Sequence, residues 1–174
     1  SEMCIRDSSS TDMKKYGTDV SFVGSLYSEK NSYDDIADKL PAYMRGYVEG
    51  LCSAQKNVYG YNFIEDALTD EWVSDFVSTV GFDPLPADYE TDLKGIIADT
   101  YLNCRCTELE RKHTLDAISR HFHVDLYTQS DSSMLPHVKN RGIADSERVM
   151  PKIFKCSKIN LNITLRSIKS GVPQ

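Results

Sequence analysis

The stretch "DVSFVGSLY", residues 19–27, decides the fold. Val20, Phe22 and Val23 run into Gly24, and a short β-rich run stopped by glycine reads as a buried strand entering a loop. Two later runs have the same character: "HVDLYT" at 123–128 and "KINLNIT" at 158–164. Between the first two lies a long helical block. Between the last two lies a polar connection, then "SERVMPKIFKC", a short helix that Pro151 either kinks or divides. Strands alternating with helices predict an α/β fold with a parallel sheet of three strands joined by crossovers. The first crossover is far longer than one helix, so a large helical insertion is expected over about 32–103. Three strands are few for a complete sheet, so the domain, taken as 19–174, reads as incomplete.

The helical block shows its own signals. Leu40, Tyr43, Met44, Tyr47, Val48 and Leu51 recur at helical spacing, with Pro41 where a first turn tolerates it. Thr69 or Asp70 can cap a helix whose stripe is Trp72, Val73, Phe76, Val77 and Val80. "GFDPLP" at 81–86 is a break. Residues 88–121 read as one long helix or two shorter ones. Residues 8–18 are polar and read as a disordered segment or linker.

The 174 residues are 40% apolar and 26% charged, an ordinary globular composition. The net charge of −6 with no basic stripe argues against nucleic acid as a partner. No apolar run approaches the ~20 residues of a membrane span. Without a secretory signal, Cys52, Cys104, Cys106 and Cys156 are expected as free thiols in a reducing cytoplasm. Cys104, Cys106, His113, His121 and His123 suggest zinc only superficially. A Cys-x-Cys pair on a helix sets its thiols about 200° apart, so no metal is expected. Asp34-Asp35 suit a helix N-terminus better than an acid/base pair. Tyr43, Tyr47, Tyr59 and Tyr61 could line an acceptor groove or form a packing stripe. No Ser-His-Asp or Cys-His arrangement is apparent.

In open α/β sheets ligands bind beyond the carboxyl ends of strands. That rule selects Gly24-Ser25, residues 128–131, and the loop "TLRSIKSG" at 164–171. The last offers Thr164, Arg166, Lys169, Ser170 and Gly171, groups that suit a diphosphate. Arg166 and Lys169 as solvated surface charges are the other reading.

Four stretches together, "DVSFVGSLYSEKNSYDDI", "LPAYMRGYVEGLCSAQKNVYGYNFIEDALTDE", "FHVDLYTQSD" and "KINLNITLRSIKSGVP", resemble bacterial glycosyltransferases related to the spore-maturation protein CgeB. The resemblance spans most of residues 16–173. It implies a partial Rossmann-like sheet from the C-terminal, donor-binding domain of a GT-B enzyme. A nucleotide sugar would be the substrate, with no separate cofactor and an unknown acceptor. The 164–171 loop would approach the donor diphosphate, and Gly142-Ile143 the base. A ribose-binding acid would follow Pro173, and Gln174 departs from the pattern there. "SEMCIRD", residues 1–7, is similar to one reading frame of a transposase adaptor used in sequencing libraries. It is expected to be an artefact, and the chain an inactive metagenomic fragment. The alternative is a non-catalytic α/β interaction module.

Overall fold

The computed structural model describes residues 9–30, 32–81 and 92–168. Residues 1–7, read as adaptor, lie outside them. In chain order the elements are α1 (Ser10–Tyr16), β1 (Thr18–Val23), a 3₁₀ turn (Ser28–Lys30), α2 (Asp34–Ala37), α3 (Ala42–Gln55), α4 (Ile64–Ala67), α5 (Asp70–Val80), α6 (Leu93–Ile97), a π-helical turn (Ala98–Leu102), α7 (Asn103–Ser119), β2 (Val124–Tyr127), β3 (Val138–Asn140), α8 (Met150–Cys156) and β4 (Ser157–Leu161). They fall into two units. One holds residues up to 26 and 111–163; the other holds 27–110 and the segment from 164 onward.

The first unit is a parallel sheet in the order β3-β2-β1-β4. Val20 pairs with Val124 on one side and Ile159 on the other, and every pairing is parallel. Side chains alternate across the sheet. Val20, Phe22, Val124 and Leu126 join Leu26, Leu115 and Leu135 in one buried cluster. Tyr127, Tyr16, Ile153 and Cys156 form a second cluster, with Val23 packed against it. β2 is buried at all four positions, as a central parallel strand covered on both faces must be.

Among the described residues the sheet has four strands, where three were expected. β3 lies inside the stretch read as a polar connection. Its three residues offer one apolar side chain, Val138, and no alternation, so backbone pairing to β2 forms it without a hydrophobic signal. Residues 8–18 also depart from expectation, because 10–16 form α1. Ser9 Oγ accepts the Asp12 N–H at 3.1 Å, Asp12 sits in the first turn and Lys14 and Lys15 in the last. Tyr16 anchors this polar helix through its buried ring.

The second unit packs helices around Met44, Val48, Ile64, Leu68, Trp72, Phe76, Ile97 and Leu102. Thr69 caps α5 by accepting the Trp72 N–H at 3.1 Å, and Gly81 ends it in the left-handed region at φ 71°. Arg105 holds Glu49 and Glu108 at 3.1 and 3.0 Å. Burial works against its charge, but those carboxylates outweigh it and raise its pKa.

Cys52 and Cys106 are joined in a disulfide, which corrects the expectation that both are free thiols. They sit 54 residues apart in the chain, and only the packing of α3 on α7 brings their Cα atoms to 4.8 Å. Among the described residues, Cys104 and Cys156 carry no disulfide. Closing a loop of that length removes about 4 kcal/mol of unfolded-state entropy. Reduction with a strong thiol should therefore lower the melting temperature by on the order of 15 °C. Peptide mapping without reductant should recover Cys52 linked to Cys106; an unshifted melt and two alkylated thiols would contradict the assignment.

Candidate functional site

The chain builds from β1 out to β2 and β3, then returns to place β4 on the other flank of β1. β1 and β4 therefore lie side by side at the reversal of strand order, and in open α/β sheets ligands bind beyond the carboxyl ends of strands at such a reversal. β1 ends at Gly24, whose N–H continues the ladder to Tyr127 O at 3.0 Å. Gly24 has φ 152°, a conformation side-chain-bearing residues rarely adopt. Ser25 follows. Leu26 is fully buried and donates its N–H to Ser130 Oγ at 2.8 Å. Ser130 in turn donates its own N–H to Thr128 Oγ1 at 3.1 Å. Two strand-end loops are thus bonded to one another.

Arg111, from α7, fixes the other flank. Its Nε donates to Ile163 O at 3.0 Å, Nη2 donates to the same carbonyl, and Nη1 donates to Ser25 O. Its guanidinium lies 5.2 Å from the centre of the Phe22 ring. One nearly buried cation therefore spans the exits of β1 and β4. The rigid fork of a guanidinium suits this task, since it can reach two carbonyls at once.

Gly142-Ile143 follows β3. Gly142 has φ 78°, a region that favours glycine, and its N–H donates to Asn140 Oδ1 at 2.9 Å. Arg141 N–H meets Leu126 O at 2.8 Å. The Arg141 side chain pairs with buried Asp125 at 2.9 Å, a bond that raises the arginine pKa. Ile143 is 69% exposed. β2 lies between β3 and β1, so Gly142 and Gly24 stand at strand ends roughly 10 Å apart.

The other expected site residues fall differently. Thr164 and Arg166 belong to the second unit. Lys169, Ser170 and Gly171 lie outside the described residues. Arg166 binds Glu110 through two bonds, Nε to Oε2 at 2.9 Å and Nη2 to Oε1 at 2.7 Å, and donates Nη1 to Val58 O at 3.0 Å. A bidentate, mostly buried pair offers a ligand little net charge. Arg166 is thus a strut of its own unit, held on the 57–63 loop.

A cavity of about 440 Å³ lies at the opposite, amino-terminal edge of the sheet, lined by Asp19, His123, Lys139, Arg141 and Lys158 among others. Its acids are already paired, Asp19 with Lys158 at 2.7 Å and Asp125 with Arg141. The carboxyl edge, with its two positive-φ glycines and tethered loops, is the better candidate.

Ser130 falls in the 128–131 stretch that the strand-end rule selects, but Arg111 and Glu110 were not legible as functional. Arg111 sits in the charged run "ELERKH", which reads as solvated helix surface; its burial follows only from the turn at which α7 reaches the strand ends. No family model matches the chain, and neither a curated protein nor a solved structure matches it.

Replacing Arg111 leaves two backbone carbonyls without their donor. Arg111→Met should destabilise the chain by about 3 kcal/mol in urea titration. Arg111→Lys should recover only part, because an ammonium cannot span both carbonyls. Variants within about 0.5 kcal/mol of the parent would show that the span is incidental.

Proposed function

We propose that the chain is a donor-domain portion of a GT-B type glycosyltransferase, and that the carboxyl edge of the sheet beyond β1 and β4 receives a nucleotide-sugar donor. The observation that carries the reading is the all-parallel order β3-β2-β1-β4 with its reversal beside β1. That order matches the first four strands of the classic doubly wound nucleotide-binding sheet, whose ligands bind at the reversal. The resemblance of the four quoted stretches to CgeB-related glycosyltransferases supports the same reading.

Each residue then has a physical role. Gly24 lets a phosphate approach the backbone without a Cβ in the way. Ser25 adds a hydroxyl and an N–H at the same strand end. Gly142 and exposed Ile143 offer an unobstructed, apolar surface for a base. Arg111 binds no donor atom in this scheme; it positions Ser25 and the exit of β4. In this reading the chain supplies only part of the cleft, so alone it is inactive.

The test is a titration of the ¹⁵N-labelled chain with UDP, GDP, ADP and dTDP and their glucose conjugates. Amide shifts should concentrate at Gly24, Ser25 and Gly142. A few polar contacts without a complete cleft should give a Kd near the millimolar range, about −4 kcal/mol. Gly24→Val should abolish the shifts. Shifts from none of these nucleotides, or shifts confined to Asp19, Lys139 and Lys158, would remove the donor site and leave an interaction module.

A further inference from the structure

The loop joining α3 to α4 exposes two tyrosines while its backbone is held fixed. Tyr59 is 81% exposed and Tyr61 60% exposed. Beneath them Gln55 is fully buried and uses its whole amide on this loop. Its Nε2 donates to Val58 O at 3.2 Å and Tyr61 O at 2.8 Å, and its Oε1 accepts the Phe63 N–H at 2.8 Å. Asn62 Nδ2 donates to Asn103 Oδ1 at 3.0 Å. Arg166 adds its bond to Val58 O, and its guanidinium lies 5.9 Å from the Tyr59 ring centre. The Tyr61 hydroxyl donates to Asp66, and that carboxylate, through the bond and its charge, raises the tyrosine pKa.

Exposed aromatic rings are ordinary when scattered on mobile segments. Here two rings are presented on a loop fixed by five bonds to Gln55, Asn103 and Arg166. A fixed loop loses little conformational freedom when a ligand arrives, which is the condition for binding through a small contact area. The rings supply apolar faces, and their hydroxyl rims with Asp66 supply polar partners. The local charges do not favour an ionic ligand: residues 56–66 carry Lys56, Glu65 and Asp66, and the charge of Arg166 is matched by Glu110. An apolar ring face bordered by hydroxyls and a carboxylate acceptor, with no unmatched cation beside it, is the chemistry of a neutral pyranose.

We propose that the Tyr59–Tyr61 loop binds a neutral carbohydrate, a pyranose stacking on Tyr59 while Tyr61 and Asp66 take its hydroxyls. That this sugar is the acceptor rests on the glycosyltransferase reading; the binding itself does not. This division also separates the two tests. Saturation-transfer NMR on the full 174-residue chain, with maltotriose, cellotriose and chitotriose as probes, reads the platform directly. At least one probe should receive saturation at its ring C–H protons. Tyr59→Ala should weaken that probe about tenfold, and Tyr59→Phe should keep most of its binding, because the ring face and not the hydroxyl makes the contact. The double variant Tyr59→Ala/Tyr61→Ala should bind none, with an unchanged melting temperature, since neither ring is in the core. No transfer to any probe, or equal transfer in the double variant, overturns the proposal. Running the nucleotide titration on the same sample distinguishes the failures: sugar binding without nucleotide binding removes only the donor site, and the reverse removes only this one.

Discussion

Arg111 is the constraint on which the sheet's carboxyl edge depends. Strand ends in an open sheet release backbone carbonyls that water would otherwise claim, and a buried carbonyl without a donor costs roughly 1–3 kcal/mol. Arg111 satisfies those of Ser25 and Ile163 with one side chain. The loop after β1 is then tied on its far side to β2 through Leu26 and Ser130. Gly24, with no Cβ, adopts the φ of 152° that this exit requires. The backbone at these strand exits is therefore fixed by bonds within the unit.

The second unit solves a similar problem with amides and one ion pair. Gln55 closes the loop after α3 from below, Arg166 clamps it from the side, and Glu110 neutralises Arg166. Both devices hide a polar group in order to fix backbone: one lies beside the half-buried Gly24 and Ser25, the other beneath the exposed rings of Tyr59 and Tyr61. The tyrosines divide accordingly. Tyr47 packs against the helical core and bonds to Ala67 O, whereas Tyr59 and Tyr61 face outward.

How much of this was legible in the sequence depended on whether a hydrophobic pattern carried it. β1, β2 and β4 were legible because Val20, Phe22, Val124, Leu126, Ile159 and Leu161 stand in β-rich runs. α5 was legible from its cap and stripe. β3 was not, because an edge strand of three residues is formed by backbone pairing rather than by burial. α1 was not, because seven mostly polar residues hold their helix through Ser9 and one buried tyrosine. The disulfide was illegible for a different reason: 54 residues separate its cysteines, and local spacing says nothing about contacts made by packing. At the candidate site Gly24 was legible from the strand-end rule, whereas Gly142 was marked only by the family resemblance. The roles of Arg111 and Arg166 were not, since a cation beside a predicted ligand loop looks the same in sequence whether it meets a phosphate or a carbonyl.

The most direct measurement of the central claim is amide hydrogen exchange in Arg111→Lys, which keeps the charge and removes the fork. If one guanidinium fixes the exits of β1 and β4, exchange should rise by about tenfold or more, the equivalent of 1.4 kcal/mol, at residues 24–26 and 162–163. The sheet interior at 20–22 and 124–126 should stay protected. Unchanged exchange at 24–26, or a uniform rise through the whole sheet, would contradict the account.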